Sequence, residues 1–280
     1  MTDLTSKKII LTGGAGFLGR HIIERLKARG VPERSIFVPR RRDYDLTEAR
    51  DCQRLLREAF PGAKADLIIH AAAEVGGIGA NRANPGRYFY ANMAMALHLI
   101  EQARLDGLVD RGGKFVQIGT ICAYPNLTPV PFSEDNLWNG YPEVTNAPYG
   151  VAKKAAWQML EAYRLQYGLR SAYVLPVNLY GPWDNFDLSS SHVIPALVRK
   201  CLEARQRDDR AITCGGTGSA SREFLYVDDC AEAVVLAAER VDDPQPINLG
   251  SGREITIKLL LGELAWDLDL DGDDEITPPA

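Results

Sequence analysis

The stretch KKIILTGGAGFLGRHIIERL, Lys7 to Leu26, changes its periodicity in the middle. A short apolar run, Ile9 to Leu11, gives way to a glycine-rich turn, after which apolar residues recur at helical spacing. Strand, turn and helix in that order open a parallel α/β sheet. The turn reads TGGAGFLG, Thr12 to Gly19, and satisfies GxGxxG at Gly14, Gly16 and Gly19 as well as GxxGxxG at Gly13, Gly16 and Gly19. Glycines there let the backbone approach a pyrophosphate lying on the positive end of the following helix, so the pattern predicts a dinucleotide site. Gly13, Gly16, Phe17, Leu18 and Gly19 are its expected lining.

The alternation continues outward from this point. SIFVPR, DLIIHAAA, KFVQIGT and SAYVLPVNLYG read as strands, with helices expected near 47 to 59, 87 to 106 and 147 to 167. Nearly continuous apolar strands between amphipathic helices imply a sheet covered on both faces, a Rossmann-type doubly wound α/β domain over residues 1–181. Beyond it, PWDNFDLSSSHVIPALVRK reads as a loop entering a helix, AITCGG as a short strand and VDDCAEAVVLAAER as a helix. These predict a smaller, apparently shortened α/β substrate-binding region over 182–266, at the C-terminal edge of the sheet where such folds bind ligands. Residues 267–280, DLDLDGDDEITPPA, carry six carboxylates and no base and predict an acidic disordered tail.

That tail accounts for the net charge of −5, and without it the body is close to neutral. A nucleic-acid partner is therefore not expected. No apolar run approaches the ~18 residues that span a bilayer, so a soluble cytoplasmic protein with no membrane partner is expected. The five cysteines, Cys52, Cys122, Cys201, Cys214 and Cys230, are scattered and lack CxxC pairing, which predicts free thiols and no metal site.

The end of the second strand selects between cofactors, because an acid there meets the ribose 2′-hydroxyl of NAD. This chain offers VPRRRDYDL, with Arg40, Arg41 and Arg42 ahead of Asp43. Guanidinium groups suit a 2′-phosphate, so NADP(H) is expected over NAD. Asp45 and Leu46 are expected to border the adenine. Ala71 and Ala73, in HAAAEVGG after the third strand, are expected to line the pyrophosphate and nicotinamide side.

Two further stretches carry chemistry. In IGTICAYP, Ile118 to Pro125, a hydroxyl at Thr120 and a thiol at Cys122 stand two apart, and in an extended chain both would face one site. In PYGVAKK, Tyr149 and Lys153 stand four apart on one helix face, where an ammonium is expected to lower the phenol pKa for acid/base work. Behind the glycine loop, this hydroxyl, tyrosine and lysine resemble the active site of the extended short-chain dehydrogenase/reductase superfamily. The longer strings AAEVGGIGANRANP, CAYP, TNAPYGVAKK, PVNLYGPWDNFD, SSHVIPALVRK and REFLYVDD resemble the GDP-L-fucose synthase family, over nearly the whole chain to about residue 262.

The resemblance implies an NADPH-dependent enzyme that inverts C3 and C5 of GDP-4-keto-6-deoxy-D-mannose and then reduces C4. It assigns Cys122 as base and His192 as acid, Tyr149 as proton donor to the C4 oxygen, Lys153 as holder of the tyrosine and the nicotinamide ribose, and Thr120 as a second contact to that oxygen. Pro176, Asn178 and Leu179, in PVNLYG, fall at the cofactor and sugar boundary, and Lys200 and Arg222 fall where the family meets phosphate. The helices containing NMAMALHLIEQA and AAWQMLEAYRL resemble the pair through which the superfamily forms homodimers. Three departures stand against the pattern: Thr120 and Ile121 replace a serine pair, the threonine keeping a hydroxyl, Gly215 replaces a tryptophan, and past residue 262 the family continues where this chain reads DLDLDGDDEITPPA. A related nucleotide-sugar epimerase without net redox change, and a non-catalytic cofactor-binding homologue, remain open as alternatives.

Overall fold

The computed structural model describes residues 2–209, 212–214 and 216–267. The strands β1 (Ile9–Thr12), β2 (Ile36–Phe37), β3 (Leu67–His70), β4 (Lys114–Ile118), β5 (Arg170–Pro176), β6 (Asn178–Tyr180), β7 (Ser221–Tyr226), β8 (Pro246–Leu249) and β9 (Glu254–Thr256) form two sheets. The larger has the order β2-β1-β3-β4-β5-β8 and is parallel throughout. The order turns back on itself at β1, which lies between β2 and β3 and so marks the switch point where such sheets receive a ligand.

The helices follow the predicted alternation: α1 (Phe17–Ala28), α2 (Ala49–Glu58), α3 (Ile78–Ala83), α4 (Pro85–Leu105), α5 (Ala147–Tyr167), α6 (Val193–Arg207), α7 (Val227–Arg240) and α8 (Ile257–Asp267). Side chains on successive strand residues point to opposite faces, and the two cores divide accordingly. Ile10, Ile68, Phe115 and Tyr173 pack with α2, α4 and α5, whereas Ile9, Leu11, Ile69, Val116 and Val174 pack with α1 and α7. Arg29, the C-cap of α1, reinforces the second layer by bridging Glu232 and Glu239 of α7. A third, smaller core joins Leu197 and Cys201 of α6 to Cys214 and to Leu260 and Leu261 of α8.

Several boundaries differ from expectation. SAYVLPVNLYG is two strands: β5 stays in the large sheet, and β6 leaves it to pair with β7. Asn178 is the hinge residue, its Nδ2 donating to the Glu223 carbonyl at 3.0 Å. The described residues of AITCGG, Ile212–Cys214 and Gly216, form no strand, and Ser221–Tyr226 supplies the central strand of the small sheet instead. The boundary expected at residue 181 is crossed by the large sheet, whose last strand comes from Pro246–Leu249. Gly215 and the tail beyond Asp267 lie outside the described residues. Among the described residues no helix is long and apolar enough to cross a membrane.

The glycine turn is the tightest point of the fold. A Cβ on Gly19 would stand 2.1 Å from the Gly13 carbonyl oxygen, and one on Gly13, whose φ is +72°, would stand 2.7 Å from the Ala71 backbone. Gly19→Ala is expected to destabilise the protein by about 1–3 kcal/mol in urea unfolding. Gly262 on α8 has open space around its Cα, so Gly262→Ala is expected to stabilise by up to about 1 kcal/mol. Equal midpoints for the two variants would contradict the steric reading of the turn.

Candidate active site

The first wall of the site is the nucleotide turn. Gly16 caps α1 without any side-chain hydrogen bond, and the first turn holds no acidic residue, so its amides and the positive helix end face the crevice. Thr12, the last residue of β1, is paired in register with His70, the last of β3. The Thr12 hydroxyl lies 2.7 Å from His70 Nδ1, within hydrogen-bond distance, and accepts from the Ala72 amide at 3.3 Å. His70 is fully enclosed, and burial, with the charge of Lys153, pushes its pKa down to about 3. In HAAAEVGG nothing in the residue order distinguishes this histidine, whose partner Thr12 lies 58 residues away. Ala71 and Ala73 follow it at the crevice, with Ala71 donating to the Thr12 carbonyl.

At the end of β2 the arginines are exposed, but Arg41 is engaged by Glu74 at 2.9 Å, and the same carboxylate takes Arg87 at 2.7 Å. Glu74 was not singled out from sequence, since only the tertiary fold brings it opposite the RRRD turn. Asp45 is held by the Thr47 hydroxyl at 2.7 Å and the Thr47 amide at 3.0 Å, and Leu46 is buried beside it. Arg40 is exposed on the same turn. The uncapped amides and the Cβ-free cradle at Gly13 fit the pyrophosphate of a dinucleotide, and the exposed arginines fit a further phosphate on its adenosine ribose.

The second wall is the end of β4. The strand stops at Ile118, and Thr120 caps a single 3-10 turn, Ile121–Ala123, its Oγ1 accepting from the Cys122 amide at 3.1 Å. The expectation of an extended chain through Cys122 is thus corrected: a turn, not strand alternation, brings the hydroxyl and the thiol together. Helix α5 presses on this turn, since a Cβ on Gly150 would stand 2.3 Å from the Cys122 carbonyl. That contact sets Tyr149 beside Cys122, and Lys153 follows one turn later with its Nζ donating to the Ile118 carbonyl at 3.1 Å. Tyr173 supports the lysine from behind, its hydroxyl donating to the Lys153 carbonyl at 3.1 Å.

Burial governs the charges here. It pushes Lys153 down to about 8 and raises the Tyr149 phenol well above its ordinary value, with the nearby Cys122 adding to the rise. The expectation that Lys153 lowers the tyrosine pKa is corrected: Nζ stands 5.8 Å from the ring centroid and is itself desolvated. Cys122 is half-buried, and burial raises its thiol, opposed by the Thr120 hydrogen bond and the Arg222 guanidinium and assisted by Glu143.

On the far side, His192 is exposed at the start of α6, where it occupies the cap position without making a cap hydrogen bond. Sequence also gave no sign of three contacts made by the loops before α5 and α6: Glu143 accepts from Asn146 Nδ2 at 3.0 Å, Asn146 Oδ1 accepts from Asn81 at 2.7 Å, and the Gly77 amide donates to the Ser190 carbonyl at 3.2 Å. Arg222 is exposed on β7, bonded to the neighbouring Ser221 carbonyl, with its charge felt at Cys122. Lys200 donates to the Thr213 carbonyl at 2.7 Å, and Asn178 is committed to the hinge already described. Pro176 ends β5, and Leu179 of β6 packs against the α1–α7 core.

Comparison with known proteins decides the family. The model of the NAD dependent epimerase/dehydratase family matches residues 9–250. A GDP-L-fucose synthase of Sinorhizobium fredii is 38% identical over 254 residues, 91% of this chain and 77% of its own. The chain belongs to the NAD dependent epimerase/dehydratase family, in its GDP-L-fucose synthase branch. The Escherichia coli GDP-L-fucose synthase is 35% identical over 271 residues, covering 94% of this chain and 81% of that one. Among solved structures, a GDP-L-fucose synthetase from Naegleria fowleri superposes with a TM-score of 0.84 at 25% identity, over 99% of this chain and 82% of that one. In this epimerase/dehydratase chain the four residues Thr120, Cys122, Tyr149 and Lys153 meet at one edge of the sheet, with Arg222 arriving from the small sheet.

Two outcomes follow from this geometry. His70 stays neutral when folded, so below its ordinary value of 6.5 the unfolded chain binds a proton that the folded chain refuses until about pH 3. Stability therefore falls as pH drops through that window, and His70→Gln is expected to make the slope shallower by up to about 1.4 kcal/mol per pH unit in acid unfolding. Arg222→Gln removes a cation from the field of Cys122 and is expected to shift the pH midpoint of iodoacetamide alkylation at Cys122 upward, the other four cysteines being buried. An unmoved midpoint would show that the guanidinium does not act on the thiol.

Proposed function

We propose that this protein is an NADPH-dependent nucleotide-sugar epimerase/reductase that converts GDP-4-keto-6-deoxy-D-mannose to GDP-L-fucose. The observation that carries the reading is a thiol and a neutral phenol set side by side at the sheet edge, with a guanidinium within reach of the thiol. Relatives named GDP-L-fucose synthase, at 38% and 35% identity, support the same substrate.

In this reading Cys122 removes a proton from a carbon flanking the C4 ketone, and the electrons move to the ketone oxygen as an enolate. Tyr149 and Thr120 hydrogen-bond that oxygen. His192 returns a proton to the opposite face of the same carbon, which inverts it without net change. NADPH, when bound, supplies the hydride for C4. Tyr149 then releases its proton to the oxygen, a step suited to a phenol whose burial keeps it protonated until negative charge develops beside it. Lys153 holds the tyrosine and the nicotinamide ribose, and Arg222 and Lys200 meet the diphosphate, Lys200 after releasing the Thr213 carbonyl.

The exposed turn bearing Arg40 and Arg41 supports NADP(H), with Arg41 oriented by Glu74 rather than free. The division of labour has cofactor binding in residues 1–181 and substrate binding in 182–266, with β8 returning to the first. Helices α4 and α5 leave Tyr90, Leu97 and Leu165 exposed, which suits a homodimer joined through them, acting in the cytoplasm.

Purified protein with NADPH and GDP-4-keto-6-deoxy-D-mannose is expected to consume NADPH and yield GDP-L-fucose. Tyr149→Phe is expected to slow reduction by roughly 10²–10⁴-fold, and Cys122→Ser to abolish deuterium uptake from solvent at C3 and C5. Deuterium uptake with no consumption of NADPH would replace this reading by an epimerase without net redox change.

A further inference from the structure

The two segments that flank the glycine turn are tied to each other. On one side a Cβ on Gly13 would stand 2.7 Å from the Ala71 backbone, and on the other a Cβ on Gly14 would stand 2.8 Å from Val38 Cγ2. The chain leaving β3 and the chain leaving β2 thus both press on this turn. Further along each, at Glu74 and Arg41, they meet again, with Arg41 Nη2 at 2.9 Å from Glu74 Oε1.

Glu74 is fastened to α4 by backbone and side chain alike. Buried Asn92 accepts from the Glu74 amide at 3.2 Å and donates to the Glu74 carbonyl at 2.7 Å. From the first turn of the same helix Arg87 grips the carboxylate with one edge of its fork, Nε donating to Oε2 at 2.7 Å and Nη2 to Oε1 at 2.8 Å. Only 17% of the Glu74 side chain stays exposed, against 64% of Arg41. The Arg87 hydrogen bonds and the Arg41 charge hold this carboxyl below the usual carboxylate range despite its burial.

Charge and geometry together decide what this arrangement can bind. One carboxylate between two guanidiniums leaves one positive charge over. Arg87 turns a bidentate edge to Glu74, whereas Arg41 gives it a single nitrogen and keeps donors for a second anion. Arg42 stands apart, 85% exposed and 3.5 Å from Asp43.

We infer that Glu74 and Arg87 set the preference for a cofactor carrying a 2′-phosphate: Glu74 is the positioning residue that holds Arg41 for the phosphate, and Arg87 cancels the Glu74 charge so that Arg41 keeps its own. NADP(H) and the role of the Arg41 turn are taken from the function proposed above, and two residues from outside the RRRD run are added to the discrimination. Without Arg87 the carboxylate neutralises Arg41 and repels a phosphate; without Glu74 the Arg41 side chain is loose and must be ordered on binding.

The test is equilibrium binding to the full chain, with NADPH and NADH titrated separately and followed by nicotinamide fluorescence. Arg87→Gln is expected to weaken NADPH binding by roughly 10-fold and leave NADH unchanged, and Arg87→Lys, which returns the charge without the fork, to recover part of the loss. Glu74→Gln is expected to weaken NADPH by roughly 3-fold, and in that background Arg87→Gln to cause no further loss, because no carboxylate remains to be cancelled. Equal weakening of NADPH and NADH would reduce the three residues to a structural brace, tighter NADPH in Glu74→Gln would make the carboxylate a competitor of the phosphate, and multiplying losses in the double variant would put Arg87 on the phosphate itself; each of these overturns the inference. If Arg41→Gln keeps the full preference for NADPH, the placement of the 2′-phosphate at Arg41 fails instead; if Arg41→Gln loses that preference while Arg87→Gln and Glu74→Gln keep it, only this inference fails.

Discussion

The absence of side chains where β1 meets the end of β3 is the constraint on which the rest of the molecule depends. Gly13 comes so close to the backbone at Ala71, and Gly19 to Gly13, that a methyl group at either point would force the strands or helix α1 apart. With nothing there, α1 points its uncapped amides into the crevice at the switch point, and the hydroxyl of Thr12 can reach His70 across two strands. The glycine turn and the sheet edge that carries Lys153 are therefore one packed unit. A buried neutral histidine sits at their junction, within the field of Lys153.

The sheet edge after β4 is a compromise between desolvation and charge. Enclosure between α5 and the 3-10 turn after β4 makes each group favour its neutral form, so that Lys153 titrates near 8 while Tyr149 and Cys122 keep their protons longer than they would in water. A phenol that retains its proton is a competent donor, but a thiol that does so is a poor base. The compensating influences on Cys122, the Thr120 hydroxyl and the Arg222 charge, come from different elements, and Arg222 belongs to the small sheet. Cys122 is thus tuned only when both sheets are assembled.

How the two sheets are joined follows from the split of one apolar stretch. Val177 bonds back to Leu249 of the large sheet, and the next residue, Asn178, pairs with β7. Beyond Tyr180 the chain enters the loop carrying Asp184 and His192, pinned to α1 through His21 and to the 76–77 turn through the Ser190 carbonyl. Helix α1 thereby touches the substrate-side loop as well as the nucleotide crevice.

Much of this was legible in the residue order. The alternation of apolar runs and helical periods, the glycine spacing and the Tyr149–Lys153 repeat depend on contacts a few residues apart, and α5 and α7 begin and end where the pattern placed them. What stayed hidden depends on which distant groups share an environment. Period alone could not show that SAYVLPVNLYG would change sheets, that β8 would return to the large one, or that Glu74 would occupy Arg41. Nor could it reverse the expected direction for Tyr149, because a pKa is set by the water a group loses, and only the packed fold determines that loss. By itself the sequence determined the alternating elements, the nucleotide turn and the identity of the reactive groups, since these are properties of neighbouring residues; only the tertiary structure decided their burial, their charge and their partners, because desolvation and long-range packing exist only once the chain is closed.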